Sequence, residues 1–191
     1  MTQLSHAATV AYVLLVVAAT PDELAGAGPV ATLVCGVGPV DAAARTAAAL
    51  ADTLPEALLH VGIAGARTFD EPEFVIGREA VYCDADDARW IDLRAAADPR
   101  LVELAGRALP GARVEAIGTS ARVGGSSGCE VEAMEGYAVL RAAALAGVPA
   151  VEVRVLANAI GEPDRARWRF ADAKRLLAAS LPGLVAEIAR G

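Results

Sequence analysis

The chain has 191 residues, enough for one domain with a substantial core, and the whole of 1–191 is expected to form it. Seventeen basic against 24 acidic residues leave a net charge of −7, which argues against a nucleic-acid partner, because phosphates reward basic surfaces. Cys35, Cys83 and Cys129 are far apart, odd in number and without C-x-x-C spacing, so neither a disulfide framework nor a zinc site is indicated. With His6 and His60 as the only histidines, no multi-histidine metal site is expected and Ser-His-Asp chemistry is disfavoured. No cofactor is expected, and a reduced, cytoplasmic setting fits.

Residues Ala7–Ala19 form an apolar run, but no Lys or Arg precedes Arg45, so the charged start of a signal peptide is missing. The run is also too short to span a membrane. It predicts a loose tail over residues 1–8 and a buried first strand over Tyr12–Ala19. Thr20-Pro21-Asp22-Glu23 follows, with the spacing of a helix capping box and a proline suited to the first helical position. Glu23 therefore has two readings. It is a cap, or it is a carboxylate at the carboxyl end of an inner strand, where α/β sheets bind ligands.

Val30–Cys35 predicts a second strand, and Gly36-Val37-Gly38-Pro39-Val40-Asp41 leads into an alanine-rich helix ending near Leu54. Asp41 stands where a dinucleotide fingerprint needs its third glycine, so this is not a nicotinamide-cofactor site. Ala57–Ile63 reads as a buried strand that exits through a glycine turn, Gly62-Ile63-Ala64-Gly65-Ala66, where backbone can approach a ligand closely. His60, inside that strand, reads as a core histidine. Phe74–Cys83 predicts a strand, Asp84–Asp87 an exposed loop, Pro99–Leu109 a helix, Arg113–Ile117 a strand and Gly118–Gly128 a flexible loop.

Residues Glu130 to Trp168 organise the rest. A short extended entry precedes a helix over Met134–Ala146, stopped by Gly147 and Pro149. The strand V-P-A-V-E-V-R-V-L puts Val151, Val153 and Val155 on one face and Glu152, Arg154 and Leu156 on the other. Charges inside such a strand need partners or a ligand. Asn158 falls where the chain is expected to leave the sheet, and Glu135 in the first turn of the preceding helix, where the dipole favours a carboxylate. A C-terminal amphipathic helix over Ala166–Arg190, broken near Pro182, is expected to cover the sheet. Alternating strands and helices give a three-layer α/β/α fold.

The ordered set V-E-A-M-E-G, hydrophobic helix, G-V-P, E-V-R, an Asn-containing exit and G-E-P-D-R-x-R-W resembles the nucleoside phosphorylase and nucleosidase superfamily, most of all its futalosine hydrolase branch. The resemblance implies a central mixed, partly barrel-like sheet. It places Met134 and Glu135 under a ribose, Asn158 at the base, Glu23 at the attacking water, and Gly62, Ile63 and Ala64 beside the ribose. It also implies substrate-binding roles for Arg154 and Val123, a homo-oligomer, and a place in menaquinone biosynthesis. The chain departs from the family in a short segment between Ile117 and Glu130, a brief connection after Glu23, and Ile63 in place of a small hydroxyl residue.

The expected activity is hydrolysis of the N-glycosidic bond of a purine nucleoside, with futalosine as candidate substrate. Such a reaction needs a donor to the purine N7, a clamp on the oxocarbenium-like sugar and an activated water. Asn158, Glu135 and Glu23 offer one group for each. A phosphorylase, a methylthioadenosine or adenosylhomocysteine nucleosidase and a non-catalytic nucleoside-binding protein remain the alternatives.

Overall fold

The structure, a computed structural model, describes residues 14–85, 88–124 and 128–191. The expected tail over 1–8, residues 12–13 of the expected first strand, and parts of the two expected loops (86–87 and 125–127) lie outside the described residues. β1 (Leu14–Ala18) is buried at every position, as an unbroken apolar run requires. A 3-10 turn (Pro21–Leu24) leads to β2 (Ala31–Val34), α1 (Pro39–Asp52) and β3 (Ala57–Ala66). Then come β4 (Phe74–Tyr82), β5 (Arg94–Ala96), α2 (Pro99–Ala108) and β6 (Arg113–Thr119). β7 (Val131–Ala133), α3 (Gly136–Ala146), β8 (Ala150–Ala159) and α4 (Phe170–Arg190) complete the order.

β2, β1 and β3 form a parallel wing. β3 then pairs with β7 on one edge and β8 on the other; β8 pairs with β4, β4 with β6, and β6 with β7. Five strands thus close into a ring, the mixed, barrel-like sheet expected, with β5 added at the rim of β4. α1 packs on α3, and α2 on α4.

Strand alternation divides the ring's interior into an apolar and an ionic half. Ala64, Ala66, Val75, Ile117, Val131, Ala133 and Leu156, drawn from all five strands, fill one half. In the other, the register sets His60 opposite Glu152 and Gly62 opposite Arg154, all pointing to the same side as Ala64 and Leu156. Three glycines clear space for this ionic half. A β-carbon on Gly62 would lie 2.2 Å from Arg154 Nη1, one on Gly136 2.2 Å from Glu152 Oε2, and one on Gly77 3.3 Å from the Glu152 β-carbon.

Four expectations about elements are corrected. The glycine turn after Ile63 is part of β3, because pairing to β8 continues through Ala66 and pairing to β7 begins at Gly65. Asn158 lies within β8 rather than beyond it, past an irregularity in the β3–β8 pairing that lies between Ala64 and Gly65. Glu135 is the residue before α3, not part of its first turn, and its side chain does not cap that helix. α4 starts at Phe170, after a separate 3-10 turn (Arg165–Arg167), and runs unbroken through Pro182. Proline costs it only the bond to the Ala178 carbonyl. That oxygen faces Gly26, on which a β-carbon would come within 2.4 Å.

Candidate active site

A cavity of about 570 Å3 opens where the 3-10 turn after β1, the ends of β3, β7 and β8, the loop after β6 and the start of α4 converge. Seven of the nine residues singled out in the sequence line it: Glu23, Ile63, Ala64, Val123, Met134, Glu135 and Asn158. Gly62 and Arg154 do not; they lie beneath its floor, Arg154 only 1% exposed.

Glu23 is both the cap and a cavity group. Its Oε2 accepts from the backbone N–H and the hydroxyl of Thr20 at 2.9 and 2.7 Å, and its Oε1 accepts the Ile63 N–H at 3.1 Å. A carboxylate has about four lone-pair sites, so one remains for a further donor. The side chain is 4% exposed and fixed on both oxygens, which leaves it little freedom to wander from the cavity wall.

Glu135 is held in a comparable way by a group that sequence reasoning missed. Its Oε1 accepts the Gly38 N–H at 3.0 Å and its Oε2 a hydrogen from Arg154 Nη2 at 3.3 Å. Gly38, at φ 90°, can aim its N–H there because glycine tolerates positive φ. The Gly36-Val37-Gly38 turn, unfit for a dinucleotide, serves instead as a seat for this carboxylate. Two lone-pair sites on Glu135 remain for hydroxyl donors.

Beneath them Arg154 donates from Nε to Glu152 Oε1 at 2.7 Å, and its Nη2 lies 3.3 and 3.2 Å from the two ring nitrogens of His60. Burial, and then the Arg154 charge, push the imidazole well below its ordinary range, so His60 is neutral, in keeping with the core role expected of it. Burial also pushes the Glu152 carboxyl up, with Arg154 pulling it back. Cys35 is buried nearby, its thiol pushed up to about 11 by burial and then by the Glu135 charge, which keeps it protonated.

At the far end, Asn158 donates from Nδ2 to the Ala159 carbonyl at 3.0 Å and lies over Gly65, 3.0 Å from where a β-carbon would be. Its second amide hydrogen and its Oδ1 remain for a ligand. Trp168, stacked under the Arg165 guanidinium at 5.2 Å and edge-on to Phe170 at 5.1 Å, forms a wall there. Arg165 and Trp168 belong to the G-E-P-D-R-x-R-W motif, whose role in shaping the cavity could not be read from spacing. Lys174, on the same side, pairs with Asp22 at 3.1 Å. The loop carrying Val123 is anchored through Ser120, which donates to Asp84 at 2.6 Å and accepts the Arg122 N–H at 2.9 Å. Among the described residues no cluster of three His, Cys, Asp or Glu side chains suits a metal ion.

Three buried carboxylates, Glu23, Glu132 and Glu135, and the Asn158 carboxamide line one cavity in a ring-closed mixed sheet, an arrangement that offers acceptors and a donor to a small polar molecule. The Phosphorylase superfamily profile matches residues 22–129, more than half of the chain, and the protein belongs to that superfamily. A 46-residue segment is 50% identical to the futalosine hydrolase of Streptomyces coelicolor (strain ATCC BAA-471 / A3(2) / M145), covering 24% of this chain and 20% of that enzyme. The fold matches S-adenosylhomocysteine nucleosidase of Streptococcus pyogenes, solved with 5-methylthiotubericidin, at a TM-score of 0.80 and 20% identity over 94% of this chain and 98% of that one. It also matches the futalosine hydrolase of Helicobacter pylori strain 26695 at 0.81 and 14% identity, over 91% and 97% of the two chains.

Proposed function

We propose that the protein hydrolyses the N-glycosidic bond of a purine nucleoside, with futalosine as the candidate substrate and hypoxanthine as the leaving base. Glu23 takes a proton from the attacking water through its remaining lone pair. Glu135 accepts hydrogen bonds from the ribose hydroxyls while Met134 packs against the sugar. Asn158 donates a hydrogen bond to N7, so that the base leaves as an anion without a protonated side chain and then takes a proton from solvent, to which Glu23 returns the one it took from water. As the bond breaks, the sugar gains oxocarbenium character, which the two carboxylates offset.

One observation carries this reading. Glu23, Glu135 and Asn158, spread over more than 130 positions of sequence, line a single cavity. Superfamily membership supports the bond class, and the matched segment of the Streptomyces coelicolor enzyme supports the choice of futalosine, hence a place in menaquinone biosynthesis. Water is favoured over phosphate because Glu23 occupies the turn where an anion would have to sit. The family resemblance adds a homo-oligomer, and free cysteines without disulfide spacing fit a reduced, cytoplasmic setting. No described helix is long and apolar enough to cross a membrane.

The test is an assay of purine release from futalosine, inosine and 5′-methylthioadenosine, with and without phosphate. The expected result is phosphate-indifferent release with a free sugar as co-product. A sugar 1-phosphate among the products makes the protein a phosphorylase; tight binding without release makes it a nucleoside-binding protein.

A further inference from the structure

Three carboxylates, Glu23, Glu135 and Glu152, surround the buried guanidinium of Arg154. Only the first two face the cavity. The contacts are unequal. Arg154 meets Glu152 at 2.7 Å through Nε, in a site where both side chains are at most 1% exposed, but meets Glu135 at 3.3 Å. Its Nη1 and Glu23 Oε1 lie within 2.2 and 2.9 Å of the same point beside Gly62. A guanidinium this close to two cavity carboxylates works against a cationic sugar, since it cancels charge that the sugar needs.

We propose that Glu152 is a positioning residue for nucleoside cleavage: by taking up the Arg154 charge from below, it leaves Glu23 and Glu135 a net negative pair facing the sugar. The inference rests on the hydrolase reading above. It also accounts for the unusual room made for Glu152. Its Oε2 has no hydrogen-bond partner among the described residues and sits where Gly136 lacks a side chain, at the entry of α3. Gly77 clears its other flank and neutral His60 stands beside it, with Nδ1 3.9 Å from Oε1. A buried ion pair kept only for stability can be replaced as a pair by packed apolar side chains at little or no cost. Here the chamber instead holds one anion against one cation directly under the two cavity carboxylates.

The test compares binding of two non-hydrolysable nucleoside analogues by calorimetry, one with a cationic nitrogen in the sugar ring and one with a neutral ring, to wild type, E152Q and E152D. The wild type is expected to favour the cationic analogue. E152Q should lose about tenfold or more of that preference while binding the neutral analogue unchanged, and E152D should retain it. In turnover, E152Q should lower kcat with little change in KM. Three results overturn the proposal. The first is a wild type with no preference. The second is an E152Q indistinguishable from it, since a Glu152 that carried its own proton would be nearly isosteric with glutamine. The third, decisive if E152Q does not fold, is a folded E152D without the preference. A charge preference that E152Q abolishes, in a protein that cleaves no nucleoside, would sink the hydrolase reading and leave the charge assignment standing.

Discussion

Arg154 Nη1 occupies the space that a side chain on Gly62 would need: a β-carbon there would lie 2.2 Å from it and 2.9 Å from Glu23 Oε1. The glycine is therefore a gap that admits the buried guanidinium beside Glu23. Gly62→Ala is expected to displace both groups, with at least a hundredfold loss of turnover and destabilisation of about 1–3 kcal/mol from overpacking. Gly106→Ala in α2, where a β-carbon meets nothing within 4 Å, is the control; it should leave turnover unchanged and add about 0.5–1 kcal/mol of stability. Steady-state kinetics and thermal unfolding of the two variants check the contrast.

Glu23→Gln should bind nucleoside but lose about 10²–10⁴-fold in turnover, the usual cost of removing a general base. The amide oxygen can still accept from Thr20 or Ile63, so the cap partly survives. Near-normal turnover in this variant would reduce Glu23 to a cap.

Glu135→Ala should cripple turnover and also cost stability. Read from sequence at a partly exposed helix end, the residue would cost the fold only about 0.3–1 kcal/mol. Its burial changes that figure: the Gly38 N–H and one Arg154 hydrogen lose their acceptor, and the expected loss is about 1–3 kcal/mol. Chemical denaturation alongside the assay separates the two effects.

Asn158→Asp should shift preference from 6-oxopurine toward 6-aminopurine nucleosides. The amide offers a donor to N7 or O6, whereas an ionised carboxylate accepts from an exocyclic amine. A mispaired buried polar group costs about 1–3 kcal/mol, enough for a tenfold change in ratio. Competition between inosine-type and adenosine-type substrates sharing one 5′ group measures it; an unchanged ratio removes Asn158 as the base reader.

Stability should fall as the pH drops below about 6.5. His60 stays neutral in the folded protein because its affinity for protons is strongly depressed there, while the unfolded chain takes up a proton near the ordinary value of 6.5. The contribution is thus fully present above that pH and lost below it, at up to about 1.4 kcal/mol per pH unit. His60→Gln should flatten this part of the stability profile.

Much of this architecture was legible in residue order. The buried run of β1, the stop at Gly147 and the alternation in V-E-V-R-V-L are local signals, and each element formed as its pattern required. The capping spacing at Thr20 and Glu23 was also local, but whether Glu23 faces a ligand depended on the Ile63 N–H, 40 positions away. Other features stayed hidden for the same reason. Gly38 beneath Glu135 is a contact between residues 97 positions apart, and the glycines around Glu152 come from β4 and α3, so no window of sequence contains them with the charges they admit. β5, three residues long, is held by its pairing with β4 rather than by any pattern of its own. Pro182 misled because the rule that proline ends helices is statistical, and here Gly26 leaves room for the freed Ala178 carbonyl.

The two tryptophans of the chain stand in very different surroundings: Trp90 is 83% exposed, whereas Trp168 is half-buried in the cavity wall beneath Arg165. Indole emission follows its environment, so Trp90 is expected to supply a red-shifted background and Trp168 a blue-shifted component that changes when a ligand fills the cavity. Occupancy of the cavity is therefore readable from the protein's own fluorescence without label or coupled assay, and substituting Trp90 with phenylalanine would leave a single-lamp optical sensor for the ligand.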